Sequence, residues 1–223
     1  MSNVKHLISD SKCLISQTIL KNTYLSVPDL ISLFKYGAIY HRAANCSINT
    51  KPKRIHDDIH IDIGDYVRVH TSPRFYPEFD SINWEDTIIY NSSEFMVINK
   101  PGGVPSQPNG DNSVQNCLSA LKKVTSKELF LPHRLDTNTT GLLVICHSKE
   151  FLIHLNNEIK NRRVKKIYKS LLVSKNNKRM GDSLIPNKIL VNYLVKSLGS
   201  PKVFLSSNSD GSLPCYLKIV NSR

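Results

Sequence analysis

At 223 residues the chain is long enough to bury a hydrophobic core, and its 40% hydrophobic and 22% charged residues exclude an intrinsically disordered chain. The 30 lysines and arginines outnumber the 18 acidic residues, and the net charge of +12 favours a polyanionic partner, either nucleic acid or an anionic membrane surface. No apolar run approaches the ~20 residues that a membrane span requires, and the five cysteines contain no C-x-x-C pair. We therefore expect no metal site and reduced thiols in an intracellular compartment. Because no helical face is both strongly amphipathic and basic, we also expect no membrane association.

The first third of the sequence predicts a small α/β module preceded by an extension. Residues 1–26 form the extension, whose Ser, Lys and Leu content suits an organelle-targeting segment although it contains no arginine. The module covers residues 27–72 and begins with an amphipathic helix that has a proline in its first turn and ends at Gly37. Residues 58–70 alternate between apolar and polar side chains, which predicts two strands around a tight Gly-Asp turn. An ordinary hairpin subdomain is the alternative interpretation of this region.

A linker at residues 73–86, with two prolines and no periodicity, precedes the main domain at 87–223. The regular pattern of this domain predicts alternating strands and helices. The predicted elements are strands at 88–90 and 95–98, a helix at 113–124, a strand at 142–146, a helix at 148–161, and strands at 170–173 and 213–220. A proline near the start of the last strand indicates either an edge position or the entry of the strand.

A polar loop followed by an apolar run lies at residues 131–148. The loop contains His133, Arg134, Asp136 and Thr139, and the apolar run after it predicts a buried strand. Because the end of the loop is anchored in the core, it can hold a reactive carboxylate on a rigid support. A turn or capping role is the alternative for Asp136, since aspartate favours turns.

Six cationic residues lie between positions 160 and 169, directly after the predicted helix. Such a run suits contact with the phosphates of a nucleic acid, and a solvated protein surface is the alternative.

These segments resemble the RluA-type RNA pseudouridine synthases. The family signature, HRLD followed by T-S-G and an apolar strand, is similar to HRLDTNTTGLLVIC here. The family's preceding segment and second motif are similar to INKPGGVPSQP and RRVKKIYKSLLV. The module at 27–72 loosely resembles an S4-type RNA-binding module. The resemblance implies an α+β fold, with a mixed, mainly antiparallel sheet and flanking helices in the catalytic core and a small α/β S4-like module at the N-terminus.

The resemblance also implies roles for particular residues. Asp136 and Tyr168 are the expected catalytic residues, with Tyr168 beside the aspartate; a half-buried strand aromatic is the alternative for Tyr168. A solvated loop lysine is the alternative for Lys100. The expected RNA-binding residues are His133, Arg134, Thr139, Lys100, Arg162, Arg163, Lys165 and Lys166. The implied protein is a monomer that needs no cofactor, acts on rRNA or tRNA and resides in the cytoplasm or an organelle, such as a mitochondrion or plastid.

One family motif is missing from the sequence. The relatives have a third motif, G-R-x-H-Q-I-R, whose cation pairs with the catalytic aspartate, whereas this sequence has only Arg179 and Arg223 as arginines after Tyr168. Two expectations follow. Either the catalytic core is truncated at its C-terminus, or the chain is a catalytically weak or inactive RNA-binding protein on the same fold.

Overall fold

The computed structural model describes residues 3–170, 189–196, 203–206 and 213–218. The chain divides into two compact units, residues 1–165 and residues 166–223. All the strand pairs in the described parts are antiparallel, and four α-helices accompany them. The predicted α+β class with mainly antiparallel sheets is confirmed.

The N-terminal module contains six strands and two helices. These are β1 (Val4–Ile8), β2 (Cys13–Leu14), α1 (Ile15–Asn22), α2 (Val27–Tyr36), β3 (Ile39–Arg42), β4 (Lys53–Ile55), β5 (His60–Ile61) and β6 (Tyr66–His70). One sheet has the order β1-β6-β3-β4. The segment expected to be an extension contributes β1, which pairs with β6, and α1, whose Ile15 and Ile19 are fully buried in the module's core.

Helix α2 has the ends that the sequence predicts. At its start, the Ser26 hydroxyl accepts the N–H of Asp29, and the Asp29 carboxylate accepts the N–H of Ser26 in return. At its end, Gly37 adopts a left-handed conformation with a φ of 66°.

The two predicted strands within residues 58–70 exist as β5 and β6, but they do not pair with each other. Strand β5 pairs with β2, while β6 lies between β1 and β3. The two strands therefore do not form a hairpin, because the partner of each strand comes from elsewhere in the module. RNA binding by this module stays a prediction.

The segment after the module packs onto the core. It includes a 3₁₀ helix (Pro77–Ser81) and Trp84, whose side chain is buried among apolar residues. The core sheet has the order β7 (Ile88–Asn91), β8 (Phe95–Lys100), β9 (Gly141–Cys146). Its apolar face packs on α3 (Cys117–Thr125), through fully buried residues that include Ile98, Leu121 and Leu143.

Helix α3 starts four residues later than predicted, because the Asn116 side chain accepts the N–H of Ser119 and caps the helix there. The next helix, α4 (Lys149–Lys160), agrees with its prediction and is capped by Ser148.

The second unit contains β10 (Ile189–Lys196), β11 (Val203–Ser206) and β12 (Leu213–Lys218), in the order β11-β10-β12. Strand β12 pairs only with β10 among the described strands, so its predicted edge position is confirmed. Residues 171–173 of the predicted strand at 170–173 lie outside the described residues. No helix in the described ranges is long and apolar enough to cross a membrane.

Candidate active site

Asp136 lies on the loop that leads into β9, and its side chain is exposed. It lines a cleft with a volume of about 170 Å³, formed entirely by the first unit. The other lining residues are Pro105, Ser106, Gln107, Asn109, Arg134, Leu135 and Thr137. The carboxylate is therefore accessible to a ligand in this cleft, and the exposed Arg134 lines the same cleft.

Buried Ser106 holds the main chain directly before Asp136. Its hydroxyl donates to the carbonyl of Leu135 at 2.7 Å and accepts the N–H of Leu135 at 3.1 Å. After Asp136, the N–H of Thr139 donates to the Asp136 carbonyl at 3.0 Å and closes a turn. The aspartate thus sits on backbone that is fixed on both sides, as the sequence predicted for this loop.

The buried side chain of Lys100 holds the same loop from the side of the core. It is the last residue of β8, is fully buried, and pairs in the sheet with Gly141, the first residue of β9. Its ammonium group donates to three main-chain carbonyls: Pro101 at 2.8 Å, Thr137 at 2.9 Å and Thr139 at 3.0 Å. Both interpretations from the sequence need correction, because a lysine with no exposed surface is neither a solvated loop residue nor accessible to RNA in this structure.

The charge of Lys100 is balanced by groups around the loop. Burial lowers the pKa of Lys100, and the nearby Cys117 and Asp136 oppose this shift. Burial raises the pKa of Cys117 itself to about 11, so its thiol is neutral at physiological pH. Asp136 is therefore the acidic group whose charge favours the protonated form of Lys100.

His133 and Thr139 contribute to the support of the loop. The Nε2 atom of His133, a half-buried residue, accepts the N–H of Val144 in β9 at 3.3 Å, so a neutral ring carries its proton on Nδ1. Thr139 acts through its main-chain N–H and carbonyl, as described above. Contact of either residue with RNA stays a prediction.

The cationic run after α4 is divided between the two units. In the first unit, Arg162 adopts a left-handed conformation with a φ of 56°, and the Arg163 guanidinium donates two hydrogen bonds to Glu158, at 2.7 and 2.5 Å. The hydrogen bonds from Arg163 lower the pKa of Glu158. A phosphate must therefore compete with Glu158 for this arginine.

Lys165, also exposed, ends the first unit, and Lys166 begins the second. Tyr168 lies in the second unit with an exposed side chain, outside any strand. The alternative of a half-buried strand aromatic is therefore wrong. Its proximity to Asp136 stays a prediction.

Sequence reasoning missed Ser106 and Asn109. Both lie in a stretch rich in Pro and Gly, which predicts turns but says nothing about which side chains face the Asp136 loop. Across the parts of the chain that the structure describes, no group of three or more His, Cys, Asp or Glu side chains could hold a metal ion.

Comparison with known proteins places this site in a family. Residues 94–203, which include Lys100, Asp136 and Tyr168, match the family of RNA pseudouridylate synthases. This match and the names of the curated relatives support the RNA pseudouridine synthase family, and within it the RluA type.

Three relatives illustrate the similarity. The chloroplastic RNA pseudouridine synthase 6 of Arabidopsis thaliana is 24% identical over 75% of this chain and 34% of its own length. An uncharacterized RNA pseudouridine synthase of Mycoplasma genitalium is 31% identical over 48% of this chain and 35% of its own length. The ribosomal large subunit pseudouridine synthase C of Buchnera aphidicola is 25% identical over 74% of this chain and 54% of its own length.

The chain spans about a third of the length of the first two of these relatives. Among solved structures, human RNA pseudouridylate synthase domain containing 4 is 18% identical over 60% of this chain and 52% of that chain, with a TM-score of 0.39, too low to transfer residue positions.

Proposed function

We propose that the protein isomerises uridine to pseudouridine in structured RNA, with Asp136 as the catalytic residue. The observation that carries this proposal is the exposed Asp136 carboxylate in a cleft, on a loop held by the buried Lys100 and Ser106. A carboxylate held in place before the substrate arrives suits catalysis, because little reorganisation is needed during the reaction.

The reaction breaks the bond between N1 of uracil and C1′ of ribose and forms a bond between C5 and C1′. C5 loses a proton, and N1 ends with one. Asp136 either attacks the sugar as a nucleophile or assists its deprotonation, and both routes are compatible with an exposed carboxylate. Neither route requires a metal or an organic cofactor.

The target uridine must leave its stack to reach Asp136, which costs a few kcal/mol. Arg134, exposed in the same cleft, suits either the vacated space in the stack or a phosphate. Tyr168 is proposed to stack on the uracil and to remove the C5 proton through its hydroxyl. The cations at 162–166 are proposed to bind the RNA backbone.

The names of the relatives support rRNA as the substrate, since one of them is a ribosomal large subunit enzyme, and tRNA is the alternative. A location in the cytoplasm or in an organelle agrees with the bacterial and chloroplastic origin of the relatives. A monomer is part of the same proposal.

The test is Asp136→Asn, which keeps the shape of the side chain and removes its charge. We expect loss of tritium release from RNA labelled at C5 of uridine, with an unchanged circular dichroism spectrum and RNA affinity. Asp80→Asn, at an exposed aspartate on the 3₁₀ helix, is the matched control and should keep its activity.

Wild-type turnover by Asp136→Asn would overturn the assignment of Asp136. RNA binding by the wild-type chain without any tritium release would overturn the proposed activity and favour an RNA-binding protein on the same fold.

A further inference from the structure

Residues 109–113 of the core, here called the docking segment, form hydrogen bonds with the N-terminal module at three of their five positions. Three hydrogen bonds join main-chain atoms of this segment to the module. They run from Arg54 Nη2 to the Asn109 carbonyl (2.6 Å), from the Tyr40 hydroxyl to the Gly110 carbonyl (2.7 Å) and from the Ser113 N–H to the Tyr36 carbonyl at the end of α2 (2.8 Å). Bonds to main-chain groups fix the path of the segment whatever its side chains do.

An ion pair holds the middle of the docking segment. Asp111, which is buried, accepts two hydrogen bonds from the guanidinium of Arg74, at 2.9 and 2.8 Å, and one from the Arg74 N–H at 3.0 Å. The Asn112 side chain donates to the Arg74 carbonyl at 2.8 Å. A two-pronged pair of this kind sets orientation as well as distance. The segment directly after the module, at Arg74, is therefore joined to the docking segment in a defined geometry.

Arg54 reaches from the module into this interface. Its guanidinium lies 4.8 Å from the centre of the Tyr40 ring and donates to the carbonyls of Gly37 and Asn109. Burial lowers the pKa of Arg54. The guanidinium of Arg54 thus donates hydrogen bonds to main-chain carbonyls on both sides of the interface, Gly37 in the module and Asn109 in the docking segment.

The docking segment continues directly into the wall of the catalytic cleft. Asn109 belongs to both, and its side chain is fixed by donating to the Tyr76 hydroxyl at 2.8 Å. Three residues earlier, the Ser106 hydroxyl forms hydrogen bonds with the main chain of Leu135, the residue before Asp136. A short stretch of chain thus connects the point where Arg54 holds the core to the backbone that carries the carboxylate.

We propose that Arg54 is a positioning residue: by holding the Asn109 carbonyl, the docked N-terminal module sets the cleft wall that faces the target uridine beside Asp136. This inference rests on the proposed function, since it assigns the module an effect on the reaction rate in addition to any effect on RNA affinity. The module then acts as part of the active site's framework.

The experiment compares Arg54→Ala with Lys53→Ala. Lys53 is exposed on the same strand, so its removal takes away the same charge without touching the docking segment. Both variants should lose a similar, small amount of RNA affinity. At saturating RNA, the single-turnover rate of Arg54→Ala should fall at least about tenfold, because small displacements of reacting groups reduce rates strongly. The rate of Lys53→Ala should stay within about twofold of wild type, since this exposed residue does not line the cleft.

Two further measurements keep the inference separable from the proposed function. Amide hydrogen exchange of residues 105–113 should be faster in Arg54→Ala than in Lys53→Ala, whether or not the protein turns over RNA. Tyr40→Phe, which removes only the hydroxyl that donates to Gly110, should change exchange and rate in the same direction by less.

Equal exchange in the two alanine variants, or equal rates at saturating RNA, would overturn the positioning role. A wild-type chain without activity would instead contradict the proposed function, and the exchange data would still decide whether Arg54 holds the segment.

Discussion

Replacing Lys100 with methionine tests how the Asp136 loop is held. Methionine has nearly the same length and no charge, so it fills the space of the lysine side chain without donating hydrogen bonds. The substitution removes the donors to the carbonyls of Pro101, Thr137 and Thr139 and leaves the side chains of Ser106 and His133 as the loop supports described above.

Two opposing energies determine the effect on stability. Each of these partly buried carbonyls costs at most ~1–3 kcal/mol when it loses its donor, so about 3–9 kcal/mol is the upper limit for the three. Methionine also removes a buried ammonium, whose desolvation costs several kcal/mol, and this offsets part of the loss. We expect the free energy of unfolding to fall by about 2–4 kcal/mol, as for the loss of a buried polar network.

The effect on activity should be larger than the effect on stability suggests. Without Lys100, the carbonyls of Thr137 and Thr139 turn toward water, and Asp136 between Leu135 and Thr137 moves with them. A displacement of about 1 Å costs roughly 100-fold in rate. The expected result is a rate of tritium release about 100-fold below wild type, under conditions where the variant is still folded.

Urea unfolding followed by circular dichroism gives the stability, and single-turnover tritium release gives the rate. Lys122→Met, at an exposed position on α3, removes the same charge far from the loop and should leave both quantities within experimental error. If Lys100→Met unfolded at the wild-type urea concentration and kept the wild-type rate, the hydrogen bonds from Lys100 would not be what holds the Asp136 loop.

Gly37→Ala should lower the free energy of unfolding by about 2–4 kcal/mol, because φ is +66° and a Cβ atom would lie 2.7 Å from the Ser113 hydroxyl. In the same urea titration, Gly64→Ala, with φ of +85° and its nearest neighbour at 3.2 Å, should cost only about 1–2 kcal/mol. Burial raises the pKa of the Cys146 thiol from 9.0 to about 11. The stabilisation linked to this shift is complete below pH 9, and the free energy of unfolding should fall by about 2–3 kcal/mol as the pH rises to 11. Cys146→Ala should flatten the pH dependence of the unfolding free energy over that range, and an unchanged slope would contradict the shift. Neutralising three exposed cations of the run at 162–166 together should reduce the log–log salt dependence of RNA binding by about two to three units, and no change would identify a solvated surface. Arg163→Ala alone should change it by less than about one unit, because Glu158 already pairs with this arginine. The three cations are Arg162, Lys165 and Lys166.

The sequence predicts the parts of the fold that short-range signals determine. Helix α2 is bounded by a proline in its first turn and a glycine, and the apolar run after the Asp136 loop has the length of a buried strand. These features depend on residues within a few positions of each other, so a single sequence contains the whole signal.

Strand pairing and contacts between residues far apart in the sequence are not visible in the same patterns. Strand β5 is flanked by a Gly-Asp turn that suits a hairpin with β6, yet it pairs with β2, about 47 residues away in the chain. Lys100 looks like a solvated residue in a Pro/Gly-rich turn, and it is buried only because the loop 37 and 39 residues later brings its carbonyls over the ammonium. The docking segment has no signal of its own, since its partners lie on α2, β3 and β4.

The pairing of β8 with β9 explains how one local arrangement produces both the buried cation and the exposed carboxylate. Lys100 ends β8 opposite Gly141, which begins β9. The Asp136 loop therefore joins the sheet beside the buried Lys100 side chain. Gly141 has a φ of 112° and no atom within 4 Å of the place for a Cβ, so the backbone conformation, not crowding, requires glycine there. A slip of one residue between the two strands would turn Lys100 out of the core and free the carbonyls that it now holds. The register of this strand pair is therefore a condition for the catalytic loop, and substitutions that loosen it should impair catalysis even where they touch no residue of the cleft.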